Sequence, residues 1–256
     1  MDFRVSAMGF AVGLLVGLTG MGGGAVMTPL LILLGWARPV VAVGTDLVWN
    51  AVTKGVGAFV HYRQKTVDLA IVKRLALGSI PGAVAGLLLL AYLRTRGANT
   101  MDRVVLRTLG IALVCVALSL FVRGLAAPLR QFQDIQLNPK RRAWLTTFIG
   151  LVIGFLVSIT SVGSGSLIVA SLVVIYPATP LRRIVGSDIF HALFLVGVAA
   201  TGHLGIGGIN GRLLAGLLVG SIPGVWVGSR MSAIFPENVL RPVLASVLLF
   251  LGYKLL

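Results

Sequence analysis

Apolar residues along this chain gather into ten stretches separated by short polar or glycine-rich breaks, at roughly 3–20, 24–36, 39–61, 69–93, 101–122, 143–161, 165–177, 181–202, 209–234 and 237–256. A helix that crosses a bilayer needs about 20 consecutive apolar residues, and most of these stretches reach or approach that length. The pattern predicts an all-α polytopic membrane protein of 8–10 membrane helices, some of them short or broken. The second and seventh stretches hold only about 13 residues, too few for an ordinary crossing at about 1.5 Å per residue. Each is expected to be a half-helix or a tilted, broken one.

The chain repeats itself. Gly13–Gly24 resembles Gly154–Gly165 in its order of apolar, hydroxyl and glycine positions. Val43-Gly-Thr-Asp46 is answered by Val185-Gly-Ser-Asp188, His61 by His203, and Val67-Asp68 by Ile209-Asn210. Gly78-Ser-Ile-Pro-Gly82 recurs letter for letter as Gly220-Ser-Ile-Pro-Gly224. Shared apolar composition does not produce an identical five-residue block with matched Asp and His at fixed spacing. The chain therefore divides into a first membrane repeat, 1–122, a basic cytoplasmic linker, 123–142, and a second membrane repeat, 143–256. Five crossings per repeat would invert one half relative to the other, an architecture common in secondary transporters. Four per repeat would make them parallel.

Composition narrows the class. Charged residues make up 11% of the chain and hydrophobic residues 57%, whereas soluble domains carry about a quarter charged residues. The net charge of +15 does not mark a nucleic-acid binder, because the basic residues lie singly or in short clusters between apolar stretches. They read as loop anchors. With ten crossings and the amino terminus outside, 13 Lys and Arg fall on the inner side and 8 on the outer, the bias expected for inner loops. The single cysteine, Cys115, can form no internal disulfide or cysteine metal site.

Candidate chemistry sits at the breaks and on the third and eighth stretches. Thr19-Gly20-Met-Gly22-Gly23-Gly24 and Thr160-Ser161-Val-Gly163-Ser164-Gly165, followed by Ser166, mark the two junctions between long and short segments. Each glycine costs a helix about 1 kcal/mol relative to alanine, so these junctions should open. An opened helix offers free N–H groups and hydroxyl donors at the next helix start, where anions bind. Close packing through small residues is the competing reading. Asp46 and Asp188 occupy equivalent places within apolar surroundings, where an ionisable group is costly and usually functional. They either cap the following helix or serve as proton carriers and organisers of the site. Asp46, Asn50 and Lys54 share one helical face. Lys54 is answered by Val196, so the site should be asymmetric. His191, three residues after Asp188, is the better placed proton relay; His61 and His203 should be hydrogen-bonded near helix ends, about 22 Å from the aspartates. Pro81 and Pro223 interrupt their helices as hinges or as packing kinks.

With those residues in place, Gly20-Met-Gly-Gly-Gly24, Pro29-Leu-Leu, Ala42-Val-Gly-Thr45, His61, Val67-Asp68 and Gly78-Ser-Ile-Pro-Gly82 resemble the TauE/SafE sulfite exporter family over essentially the whole chain. The resemblance implies a multi-pass permease of the cell (inner) membrane for sulfite, sulfoacetate, thiosulfate or other sulfur-containing or organic anions. The expected partners are a small anionic substrate and the lipid bilayer, with no nucleic acid, no metal and no cofactor; a homodimer is one compatible assembly. In this reading the anion is held near the midplane between the two glycine-rich junctions, by Thr19, Gly20, Gly22–Gly24, Asn50, Lys54, Thr160, Ser161 and Gly163–Ser166. Asp46, Asp188 and His191 organise the site or couple it to protons. No nucleotide-binding P-loop accompanies the glycines, so transport should be secondary or a uniport. Two other readings stand beside it: a non-transporting membrane scaffold subunit, and a membrane-embedded enzyme built on the aspartates and histidines.

Overall fold

The computed structural model describes residues 3–19, 23–125, 138–206, 208–231 and 237–256. Ten helices and no strand occur among the described residues. They are α1 (Phe3–Thr19), α2 (Gly24–Leu33), α3 (Pro39–Arg63), α4 (Leu69–Thr95) and α5 (Ala98–Leu125) in the first half. The second half holds α6 (Pro139–Thr160), α7 (Ser166–Ile175), α8 (Leu181–Ile206), α9 (Gly211–Met231) and α10 (Glu237–Leu255). Five of them, α4, α5, α6, α8 and α9, are long and apolar enough to cross a membrane by length and composition. Helix α3 has 25 residues but carries Asp46, Asn50, Lys54 and Arg63, which makes it the polar centre of the molecule. The short helices α2 and α7 have 10 residues each, about 15 Å of rise.

Local sequence explains the boundaries. Asp68 caps α4 by accepting from the Ala70 and Ile71 amides, and Asn210 accepts from the Leu213 amide at the start of α9. The recurring Val-Asp and Ile-Asn pairs are thus helix caps. Helix α6 starts at Pro139, four residues before the expected repeat boundary, because Asn138 caps the Lys140 amide and proline occupies the first helical position. The basic triplet Lys140–Arg142 therefore belongs to α6. Helix α5 runs on to Leu125, and the rest of the expected linker, 126–137, lies outside the described residues.

The halves pack by exchange. Glycines of α4 lie against the α6 backbone: Gly78 faces the Thr147 carbonyl, Gly82 that of Leu151, and Gly86 the Ser158 side chain and Phe155. The equivalent glycines of α9 lie against α1: Gly220 faces Ser6, Gly224 faces Phe10 and Gly228 faces Leu14. Rising numbers meet rising numbers in both pairs, so α4 runs parallel to α6 and α9 parallel to α1. A β-carbon at any of these sites would collide with a backbone carbonyl or hydroxyl; glycine here allows close helix approach. Equivalent helices instead meet antiparallel. Gly44 of α3 lies against His203 of α8, and Gly186 of α8 against His61 of α3. Gly110 of α5 meets Leu256, while Gly252 of α10 meets Val114.

Polar contacts follow the same reciprocity. The Asp68 amide donates to Ser187 Oγ at 2.7 Å, and the Asn210 amide to Thr45 Oγ1 at 3.1 Å. The residue before each buried aspartate therefore anchors the start of a helix from the other half. Two apolar clusters fill the interior, one centred on Leu47, Leu75, Val157 and Leu195, the other on Met27, Leu31, Leu113 and Leu217.

Candidate functional site

Helix α3 places its polar face in the middle of the molecule. Asp46, Asn50 and Lys54 succeed one another by one turn and are 0%, 1% and 8% exposed. Asp46 is well inside α3, and Asp188, 2% exposed, holds the same position in α8. Each aspartate lies about two turns inside its own helix, so neither caps the start of the helix that carries it.

The two junctions meet on this face. Helix α2 folds back along the first half of α3, and Thr28 Oγ1 donates to Asp46 Oδ2 at 2.7 Å. A β-carbon on Gly24 would stand 3.0 Å from both Asn50 Nδ2 and Asp46 Oδ2, and would strike the Ser161 carbonyl of the opposite junction. Gly23 lies beneath the Trp49 ring. Thr19 closes α1, and Gly20 and Gly22 lie outside the described residues.

In the second half, α6 ends at Thr160 and the chain turns through Ser161 (φ 61°), Gly163 (φ 109°) and Gly165 (φ 144°) before α7. Positive φ is open to glycine at little cost, which explains why this junction retains glycine at 163 and 165. Asn50 Nδ2 donates to Ser161 Oγ at 3.4 Å. Lys54 Nζ donates to the Ser164 carbonyl at 2.5 Å and to Ser164 Oγ at 2.7 Å. Its ammonium lies in electrostatic range of Asp188 and Asp46. One lysine and two carboxylates thus lie close to one another in the buried interior, beside Gly24, Ser161 and Ser164.

Not every expected residue joins this cluster. Thr160 Oγ1 bonds locally, donating to the Leu156 carbonyl at 2.7 Å and accepting from the Val162 amide at 3.1 Å. Half-buried Ser166 opens α7 without a hydrogen bond to the cluster among the described residues. His191 Nε2 is 2.7 Å from Ser79 Oγ, and its ring lies in electrostatic range of Lys54. His203, fully buried, meets the Ser158 carbonyl through Nε2 at 2.8 Å, and half-buried His61 meets Thr66 Oγ1 through Nδ1 at 2.8 Å. Both histidines are hydrogen-bonded near helix ends, as their positions predict.

Four participants escaped the sequence reading: Thr28, Trp49, and Ser79 and Ser221 of the repeated Gly-Ser-Ile-Pro-Gly block. Trp49 is fully buried and donates through Nε1 to Ser221 Oγ at 2.7 Å. Trp49 and His191 are separated by 142 positions, as are Ser79 and Ser221. The contacts Trp49–Ser221 and His191–Ser79 are therefore one contact made twice, each time from the central helix of one half to the proline-containing helix of the other. A buried partner left unsatisfied costs about 1–3 kcal/mol. Ser79→Ala and Ser221→Ala should accordingly lower the thermal midpoint of the purified protein by similar amounts, and a silent Ser79→Ala would show that His191 draws no stability from the pair.

Residues 5–255 match the profile of the family described as sulfite exporter TauE/SafE. The chain is 41% identical to a protein named probable membrane transporter protein YjnA from Bacillus subtilis (strain 168), with all of both chains covered. It is 24% identical to the probable membrane transporter protein YunE of the same organism, over 97% of this chain and 95% of that one. No solved structure matches. From the repeated blocks, the helical architecture and a match over nearly its whole length, the chain is a multi-pass membrane protein belonging to the TauE/SafE family of membrane transporters.

Proposed function

We propose that the protein is a secondary permease of small sulfur-containing anions such as sulfite, sulfoacetate or another organosulfonate, and that the anion is held at Lys54 between the two glycine-rich junctions near the midplane. The observation that carries this reading is the meeting of Gly24 with Ser161, and of Lys54 with Ser164, on the buried polar face of α3. A sulfite or sulfonate group presents three oxygens, which match an ammonium, hydroxyls and backbone N–H groups as donors. The halves form an inverted repeat; antiparallel α3–α8 and α5–α10 support this, because equivalent helices then enter the membrane from opposite sides. The amino terminus lies outside and the 123–142 connection in the cytoplasm, in keeping with the basic bias.

Asp46, Asp188 and His191 organise the site. Two carboxylates and one ammonium leave a formal excess of one negative charge, so entry of an anion is favoured when a carboxylate takes a proton. Flux should therefore rise when the side holding the anion is made acidic, and Asp188→Asn should weaken that dependence. The inside-negative potential drives an anion outward by about 2.3 kcal/mol per charge per 100 mV.

The test is flux through purified protein in liposomes, offered labelled sulfite, sulfoacetate, thiosulfate, sulfate and chloride, with and without a pH gradient and a potential. Saturable movement of a sulfur oxyanion or sulfonate, with chloride excluded, is the expected result. Folded, inserted protein that moves none of these anions would overturn the reading in favour of a scaffold role.

A further inference from the structure

A second cationic site stands at the other end of α7, outside the central cluster. Helix α7 begins beside Ser164, which holds Lys54, and ends at Tyr176, about 15 Å away along its axis. Tyr176 is 6% exposed, and two arginines converge on it. Arg74 Nη1 of α4 donates to the Tyr176 hydroxyl at 3.1 Å. The Arg142 guanidinium of α6 lies 5.3 Å from the ring centroid.

Two threonines of α6 bond to the backbone of both arginines. Thr146 Oγ1 donates to the Arg142 carbonyl at 2.8 Å, and Thr147 Oγ1 to the Arg74 carbonyl at 3.1 Å. Thr146 Oγ1 is also 2.9 Å from the Tyr176 hydroxyl. Since the threonine proton is already directed to a carbonyl, the tyrosine O–H donates to Thr146, and the tyrosine oxygen accepts from Arg74. Neither arginine has a carboxylate partner among the described residues, whose ion pairs are Arg38–Asp102 and Arg183–Asp68. The Nε of Arg142 is buried and has no hydrogen-bond acceptor among them.

Two guanidinium groups fixed on one buried tyrosine repel each other, and a buried N–H without an acceptor is costly. An oxyanion between them would relieve both, because guanidinium groups bind carboxylate, sulfonate and phosphate oxygens through paired N–H bonds. The repeat does not require this arrangement. The positions equivalent to Arg74 and Tyr176 in the other half are Gly216 and Leu34, so the site belongs to one end of the molecule.

We infer that Arg74, Arg142 and Tyr176 form an oxyanion-binding site at the end of the molecule where α6 begins, distinct from the central site at Lys54. The oxyanion is either a soluble anion or the phosphate of an anionic lipid headgroup. The inference does not depend on transport, and the test reads binding alone.

Full-length protein is placed in phosphatidylcholine nanodiscs, and its thermal midpoint is followed in two arms, one titrated with inorganic sulfate and one with phosphatidylglycerol included in the disc. The site predicts that one arm raises the midpoint of the wild type and of Lys54→Met. The same arm should require about tenfold more probe, or show no response, in the Arg74→Gln/Arg142→Gln double variant. The responding arm names the source of the oxyanion. Tyr176→Phe, which keeps the ring but loses the hydroxyl that orients Arg74, should weaken the response by a smaller factor and serves if the double variant does not fold. A wild type that responds to neither probe overturns the inference. So does a response that survives in the double variant and Tyr176→Phe, or one that Lys54→Met alone abolishes.

Discussion

Replacing Lys54 with methionine should reduce anion flux by at least about a hundredfold while leaving the protein inserted. The side chain is 8% exposed and its ammonium lies in electrostatic range of Asp188 and Asp46. Methionine fills similar space but leaves two buried carboxylates without a cation. Breaking a buried ionic arrangement by removing one partner costs about 3–5 kcal/mol, and roughly 1.4 kcal/mol corresponds to a factor of ten. An anion entering the altered site would meet negative charge alone. Lys54→Arg keeps the charge but replaces a compact ammonium with a planar fork, which the bond pair to Ser164 is not shaped to receive, so it should retain a small part of the flux. The check is initial-rate uptake into liposomes at matched protein incorporation. Flux unchanged in Lys54→Met would remove Lys54 from the pathway.

The second large effect concerns helix packing. Gly78→Val and Gly220→Val should each lower the thermal midpoint sharply, and by comparable amounts. A β-carbon at Gly78 would overlap the Thr147 carbonyl, and one at Gly220 the Ser6 carbonyl. Both obstacles are backbone atoms of a neighbouring helix, so relief requires the helices to part along their length. Overpacking usually costs about 1–3 kcal/mol, and a rigid obstacle places these sites at or above the top of that range. The two contacts are far apart in sequence and serve different helix pairs, so the double variant should show nearly the sum. Gly197 is the control. Nothing lies within 4 Å of a β-carbon there, and Gly197→Ala should leave the midpoint unchanged or raise it, since alanine favours helix by about 1 kcal/mol. A midpoint for Gly78→Val equal to that of Gly197→Ala would contradict the close α4–α6 approach.

Much of the architecture was legible because the repeat was. Identical Gly-Ser-Ile-Pro-Gly blocks and the matched Asp46/Asp188 and His61/His203 fixed which positions were equivalent. They did not say what those positions touch. Equivalence within a chain is silent on whether a block packs in its own half or the other, and here the glycine blocks pack in the other. Ser164 is 110 residues from Lys54, and no local pattern announces such a pair. Trp49 and His191 make the same contact with different chemistry, so only the offset of 142 positions that relates Trp49 to His191 and Ser79 to Ser221 could have joined them. The start of α6 was readable from Asn138-Pro139, a cap followed by a first-turn proline; the basic triplet after it obscured the signal by resembling a loop. The two short helices were correctly separated from their neighbours, but only the contacts of Gly24, Ser161 and Ser164 with α3 show that the junctions meet.

The measurement closest to the central claim is a cryo-EM structure of the protein in nanodiscs saturated with sulfoacetate. Density for the sulfonate is expected beside Lys54 on the buried polar face of α3, with an oxygen about 3 Å from Lys54 Nζ and the Lys54 bond to the Ser164 carbonyl loosened or replaced. Sulfonate bound elsewhere in the membrane-embedded region, with Lys54 still held by Ser164, would contradict it.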